Sequence, residues 1–155
     1  MTKSFKYLDD LIHSGVKEIV LDTDIVLDAE EENEYLEGIV LDRDVVIEGK
    51  EHTIDARGKS RIFKCTGKVR IWEVIFKNGF SKDCGGAIDN SGDLTISNSE
   101  FRNNTADGDG GAVKSIGRLR IRKSVMCENV SRGEDNFGGA VFACGDSSIK
   151  KNSFH

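Results

Sequence analysis

Five side chains are spaced as though to grip a polyanion: Arg70, Trp72, Arg120, Arg122 and Lys150. A guanidinium holds a carboxylate or sulfate through two parallel N–H bonds, and an indole lies flat on a sugar ring. Arg70 and Arg120 are 50 residues apart, as are Trp72 and Arg122. Acid–base chemistry has thinner support. Asp107 with Asp109 and Glu134 with Asp135 are paired carboxylates, but they lie in Gly-rich stretches where acidic turn residues are common. The histidines are His13, His52 and His155, and no His recurs within the repeat to serve its serines as a base. Ser99 and Ser124 share a repeat position and read as an internal polar ladder, not as nucleophiles. No catalytic residue is assigned. Asp-Gly-Asp at 107–109 falls well short of the six to eight oxygens that calcium takes, so neither a metal nor a cofactor is expected.

What would bring the cations together is a repeat. Val69-Arg70-Ile71, Leu94-Thr95-Ile96 and Leu119-Arg120-Ile121 start 25 residues apart, and Ser147-Ser148-Ile149 follows after 28. Phe76, Phe101, Met126 and Phe154 each come seven residues after a start. Gly85-Gly86-Ala87, Gly110-Gly111-Ala112 and Gly138-Gly139-Ala140 recur between them as structural corners. A period in the twenties marks stacked coils, none of which buries its apolar face alone. The corners leave no room for crossover helices, so the triplets must lie parallel in a β-helix. Leucine-rich repeats share the period, but their asparagine-centred consensus is absent.

Upstream, EIVLDTDIVLD at 18–28 and GIVLDRDVVIE at 38–48 are related by an offset of 20, with Ile19, Leu21, Ile25 and Leu27 alternating as half-buried strand residues do. Aligned on the longer repeat, this predicts six stacked triplets beginning with Ile25-Val26-Leu27. Residues 29–34 read as a looped excursion. Residues 4–14 carry Phe5, Leu8, Leu11 and Ile12 at helical spacing, with Ser4 to cap the start and Gly15 to end it. The expected organisation is a cap helix within 1–16 and a β-helix of about six coils over 17–155. On this frame Arg70, Thr95, Arg120 and Ser148 form one outward file, and Trp72, Ser97, Arg122 and Lys150 the next.

Composition agrees with this frame. The 155 residues include 17 Gly and no Pro, which suits many short strands joined by tight corners. The net charge of −5 is uneven: residues 1–55 hold 16 acidic and 5 basic side chains, residues 56–155 hold 11 and 17. The basic half could steer an anionic partner. Cys65, Cys84, Cys127 and Cys144 fall at different frame positions and are expected to be free thiols. No apolar run is long enough to span a membrane.

Val46-Ile47-Glu48-Gly49, His52-Thr53-Ile54-Asp55, Ile75-Phe76-Lys77-Asn78-Gly79, Gly85-Gly86-Ala87-Ile88, Leu94 to Phe101 and Asn103-Asn104 together resemble the repeats of adhesin-like surface proteins. They are also similar to the polymorphic outer-membrane-protein repeat, within the wider pectate-lyase-like superfold. The resemblance covers about two-thirds of the chain. It implies an all-β fold: a right-handed parallel β-helix, a solenoid with a short N-terminal capping α-helix. It also implies a secreted or cell-surface location, although Met1 to Lys6 shows no apolar signal-peptide core. The sequence stops in mid-coil, so an open C-terminal stack end is expected, suited to self-association or to a longer array. Related β-helices include polysaccharide lyases and glycoside hydrolases, which makes an enzyme of that class the alternative. Arg120-Ile121-Arg122 stands here without the neighbouring Gly-His-Gly such hydrolases carry. The favoured expectation is a non-catalytic structural or adhesive module with an acidic glycan as partner. One Trp and an acidic total charge weigh against nucleic acid.

Overall fold

In the computed structural model, which describes residues 1–133 and 139–154, the repeats stack as parallel strands in register. Leu94 pairs with Val69 on one side and with Leu119 on the other, and Ile96 with Ile71 and Ile121. The strands Val45–Asp55, Lys68–Lys77, Asp93–Ser97, Arg118–Arg122 and Ser147–Lys150 build a first face. The chain then bends through left-handed residues Glu73, Asn98, Lys123 and Lys151 into a second face of the same sheet. A three-stranded sheet (Phe80–Ser81, Thr105–Ala106, Val130–Ser131) and a five-stranded sheet from Ile39–Leu41 to Val141–Ala143 close the coil.

Period-two alternation explains the interior. Val69, Ile71, Leu94, Ile96, Leu119 and Ile121 are buried, and the residues between them face outward. On the second face Ile25, Ile54, Phe76, Phe101, Met126 and Phe154 align in one file. Phe76 and Phe101 stack with ring centroids 4.6 Å apart, and Phe63 meets Phe76 edge-on at 5.8 Å. Each such buried ring contributes roughly 2–3 kcal/mol relative to exposure. Close stacking also fixes the glycine corners. A Cβ on Gly86 would overlap the Gly111 carbonyl oxygen, and one on Gly111 the Gly139 carbonyl oxygen. Gly85 and Gly110, just before them, have φ of +70° and +68°, where a side chain is strained. Gly138 lies outside the described residues.

The first coil differs from the expected alignment. Ile19, not Ile25, sits against Ile47, while Ile25 sits against Ile54 on the second face. The six-triplet stack therefore begins with Lys17-Glu18-Ile19. The two similar segments are strand–corner–strand units lying at different phases of the coil: Ile39 pairs with Phe63 in the five-stranded sheet. Their likeness reports alternation and an Asp-x-Asp corner, not equal position.

The N-terminal helix runs Phe5–Ile12, with Phe5, Leu8 and Ile12 buried and the Ser4 hydroxyl accepting from the Tyr7 N–H at 3.2 Å. It stops two residues earlier than spacing suggested, because His13 takes the C-cap. Before it, Thr2–Lys3 pairs with Asp24–Val26. The segment read as a looped excursion is one, and it holds the helix. Ala29–Glu31 is a 3₁₀ turn, and the buried Glu31 carboxylate accepts from the Phe5 and Lys6 N–H groups at 2.8 and 3.2 Å. Those donors have no partner inside the helix, and a carboxylate there also meets the positive end of the helix dipole. Tyr35 donates to Asp9 at 2.7 Å, and Arg43 donates to the carbonyls of Ile12 and Val16.

Candidate functional site

The outward side of the first face consists of three files of side chains, repeating at about 4.8 Å as strands in one sheet do. One residue before each triplet come Asp44, Lys68, Asp93, Arg118 and Asp146, alternating in sign. The middle file is Val46, Arg70, Thr95, Arg120 and Ser148; the third is Glu48, Trp72, Ser97, Arg122 and Lys150. The structure thus brings all five sequence-derived binding residues, Arg70, Trp72, Arg120, Arg122 and Lys150, onto one face. Arg70, Arg120, Arg122 and Lys150 are exposed, and Trp72 is half-buried between Glu48 and Ser97.

The alternating file, which sequence reasoning missed, changes the electrostatics. Arg118 reaches Asp93 at 4.0 Å and Asp146 at 3.4 Å, and Arg120 reaches Asp93 at 3.9 Å. Arg120 is therefore partly neutralised. Arg70, Arg122, Lys150, Lys68 and Lys17 make no ion pair within 4 Å among the described residues. The signal was available: positions 44, 68, 93, 118 and 146 read Asp, Lys, Asp, Arg, Asp at the repeat spacing. At the N-terminal end of this face is a depression of about 250 Å³, lined by Lys17, Asp44, Val45, Val46, Lys68 and Arg70.

A second groove of about 330 Å³ runs along the far corners, past Asp55, Arg57, Asn78, Phe80, Asn103, Thr105 and Arg132. Its charges are already engaged. Asp55 accepts from the Arg57 backbone and from Asn78 at 2.7 and 3.0 Å. Arg57 lies 3.5 Å from Glu32, and Arg132 lies 3.8 Å from Asp107.

Inside the coils, hydroxyls and amides form ladders. Val74 N–H donates to the Ser99 hydroxyl and Ser99 N–H to the Ser124 hydroxyl, each at 3.2 Å; Ser124 N–H donates to the Asn152 amide oxygen at 2.9 Å. Each hydroxyl in turn donates to the carbonyl two residues before it. A second ladder, also unforeseen, links Gly79 N–H to Asn104 at 2.8 Å and Asn104 to Asn129 at 2.9 Å. Asn103-Asn104 followed by Asn129 after 25 residues was its signal. Arg61, 2% exposed, donates to the carbonyls of Gly85, Cys84 and Glu37, the Ser81 hydroxyl and the Glu37 carboxylate. Among the described residues no buried side-chain nitrogen or oxygen lacks a partner.

The groups considered for acid–base work are dispersed. His13 contacts Asp9 at 2.8 Å and Asp42 at 3.6 Å on the cap. Hydrogen bonding to the Asp9 carbonyl, then the Asp9 and Asp42 carboxylates, raises its pKa. His52 follows the left-handed Lys50 and Glu51 within the strand Val45–Asp55, 3.1 Å from Asp24. The Thr53 N–H and then His52 hold the Asp24 carboxyl below its usual range. Glu134, Asp135 and His155 lie outside the described residues. All four cysteines are free thiols, and complete burial pushes the Cys65 thiol far up. Among the described residues no three His, Cys, Asp or Glu side chains gather as metal ligands would, and no helix is long and apolar enough to cross a membrane.

Residues 98–115 match the family described as the Chlamydia polymorphic membrane protein repeat. The matched stretch carries Ser99, Phe101, Asn104 and the Gly110-Gly111-Ala112 corner, so the similarity falls on the residues that fix one coil. No curated protein and no solved structure matches the chain. The chain is a parallel β-helix repeat protein resembling the polymorphic membrane protein repeats.

Proposed function

We propose that the chain is a non-catalytic structural and adhesive module of a surface-type protein, and that its first face binds an acidic polysaccharide. The observation that supports this most is the pair of outward files in which Arg70, Arg122 and Lys150, without ion-pair partners among the described residues, accompany Trp72 on an in-register sheet. A polymer lying on such a face meets a charge or a ring at each coil it crosses. Repetition then adds affinity without any deep pocket. The similarity to polymorphic membrane protein repeats supports the surface-type setting.

Glycan-array binding at two salt concentrations tests the reading. Acidic polymers are expected to bind, more weakly as screening increases. Arg70→Ala with Arg122→Ala is expected to reduce binding at least tenfold, and Arg120→Ala to matter less because Asp93 already engages it. Absence of acidic-polymer binding by the wild type would retire the proposal. Self-association is a finer part of the proposal. A mass that stays monomeric at millimolar concentration in light scattering would remove that part.

A further inference from the structure

We infer that the group this face recognises is a sulfate ester of the polysaccharide, seated in the depression between Lys17, Lys68 and Arg70. The inference rests on the polysaccharide reading above and specifies its ligand. Lys17 enters from the first coil, just before the strand Glu18–Val20. Lys68 and Arg70 enter from the third, within Lys68–Lys77. The second coil, at Val45 and Val46, forms the floor, with the Lys17 carbonyl accepting from the Val46 N–H at 2.8 Å.

Three cations from two coils therefore surround one depression of about 250 Å³, and none has an ion-pair partner within 4 Å among the described residues. Asp44 is the one acidic side chain in the lining. This arrangement contrasts with Arg118 and Arg120 farther along the face, which Asp93 and Asp146 engage. It contrasts also with the second groove, where Arg57 and Arg132 are paired.

The geometry of the donors selects the anion. A carboxylate offers two oxygens in one plane, and a single guanidinium fork satisfies it. A sulfate monoester offers three terminal oxygens at tetrahedral angles, which suits donors converging from different sides. Arg70 supplies a planar fork and Lys17 and Lys68 supply compact ammonium groups that can each turn a proton to a separate oxygen. The sugar bearing the ester would lie toward Trp72, two residues beyond Arg70 on the same strand.

The test is titration calorimetry of the full chain with three polymers: heparin, heparin stripped of its sulfates but retaining its carboxylates, and polygalacturonate. Heparin is expected to bind at least tenfold more tightly than either of the others. Lys17→Ala with Lys68→Ala should weaken heparin about tenfold and leave the desulfated polymer unchanged. Lys59→Ala with Lys82→Ala removes the same charge from another depression and should have little effect. Thermal melts of both double variants should match wild type, since the changed side chains are exposed. Equal binding of sulfated and desulfated heparin, or equal losses in the two double variants, overturns the sulfate seat while leaving the acidic-polysaccharide reading intact. Binding to none of the three polymers overturns both.

Discussion

At the scale of single residues, this protein places hydrogen-bonding side chains inside an apolar stack, and each buried one among the described residues is connected. Asn104 shows why they are there. Its amide accepts from Gly79 N–H and donates to the Phe76 carbonyl and to Asn129, bridging three coils. Asn104→Ala would strand a buried donor and acceptor, and we predict a loss of about 2–3 kcal/mol in urea unfolding. Ser99→Ala removes the acceptor of the Val74 N–H and the donor to the Ser97 carbonyl, and should cost about 1–2 kcal/mol. His13 gives a prediction about pH. Its folded pKa is raised, so its contribution is complete below the unfolded value near 6.5 and is lost as pH rises through the folded value. The Tm advantage of wild type over His13→Asn should therefore shrink from pH 6 to pH 9. The Ser99 and Ser124 ladder was legible because both residues are serines in one frame position. Arg61 was not: a single arginine before an apolar pair looks like any surface cation, and only the convergence of Gly85, Cys84 and Ser81 around it, from the following coil, makes it interior.

Elements show how much position depends on partners distant in sequence. The helix was readable from Phe5, Leu8 and Ile12, but its anchors were not. Glu31 looked like one acid among several at 30–34, yet its carboxylate joins the Ser4 hydroxyl in closing the first turn. Glu31→Gln keeps the shape and removes the charge; it should cost about 1–2 kcal/mol and speed amide exchange at Phe5 and Lys6 before exchange in the core strands changes. If core and helix amides lost protection together, the helix would not be a separable cap. The two similar segments at 18–28 and 38–48 carry a further lesson. Local alternation identifies a strand and its buried side; it does not say which sheet the strand joins. Ile19 and Ile39 occupy equivalent places in sequence yet pair with Ile47 and Phe63 in different sheets.

For the whole molecule, the period of 25 was sufficient to fix parallel stacking, because side chains one period apart must coincide in projection. It also placed Arg70, Trp72, Arg120, Arg122 and Lys150 on one face. It did not disclose the neutralising file, since Asp93 and Arg118 interact across coils and read as ordinary corner charges within either coil. Binding by repetition requires that the stack be regular and rigid: a slip of one residue would turn Arg120 inward and Leu119 outward. The most direct measurement is therefore the pattern of methyl and aromatic nuclear Overhauser contacts in solution. Leu94 should contact the side chains of Val69 and Leu119, Ile96 those of Ile71 and Ile121, and Phe76 should contact Phe101. Contacts of Leu94 to neither neighbour, or Leu119 methyls open to a soluble paramagnetic probe, would contradict the account.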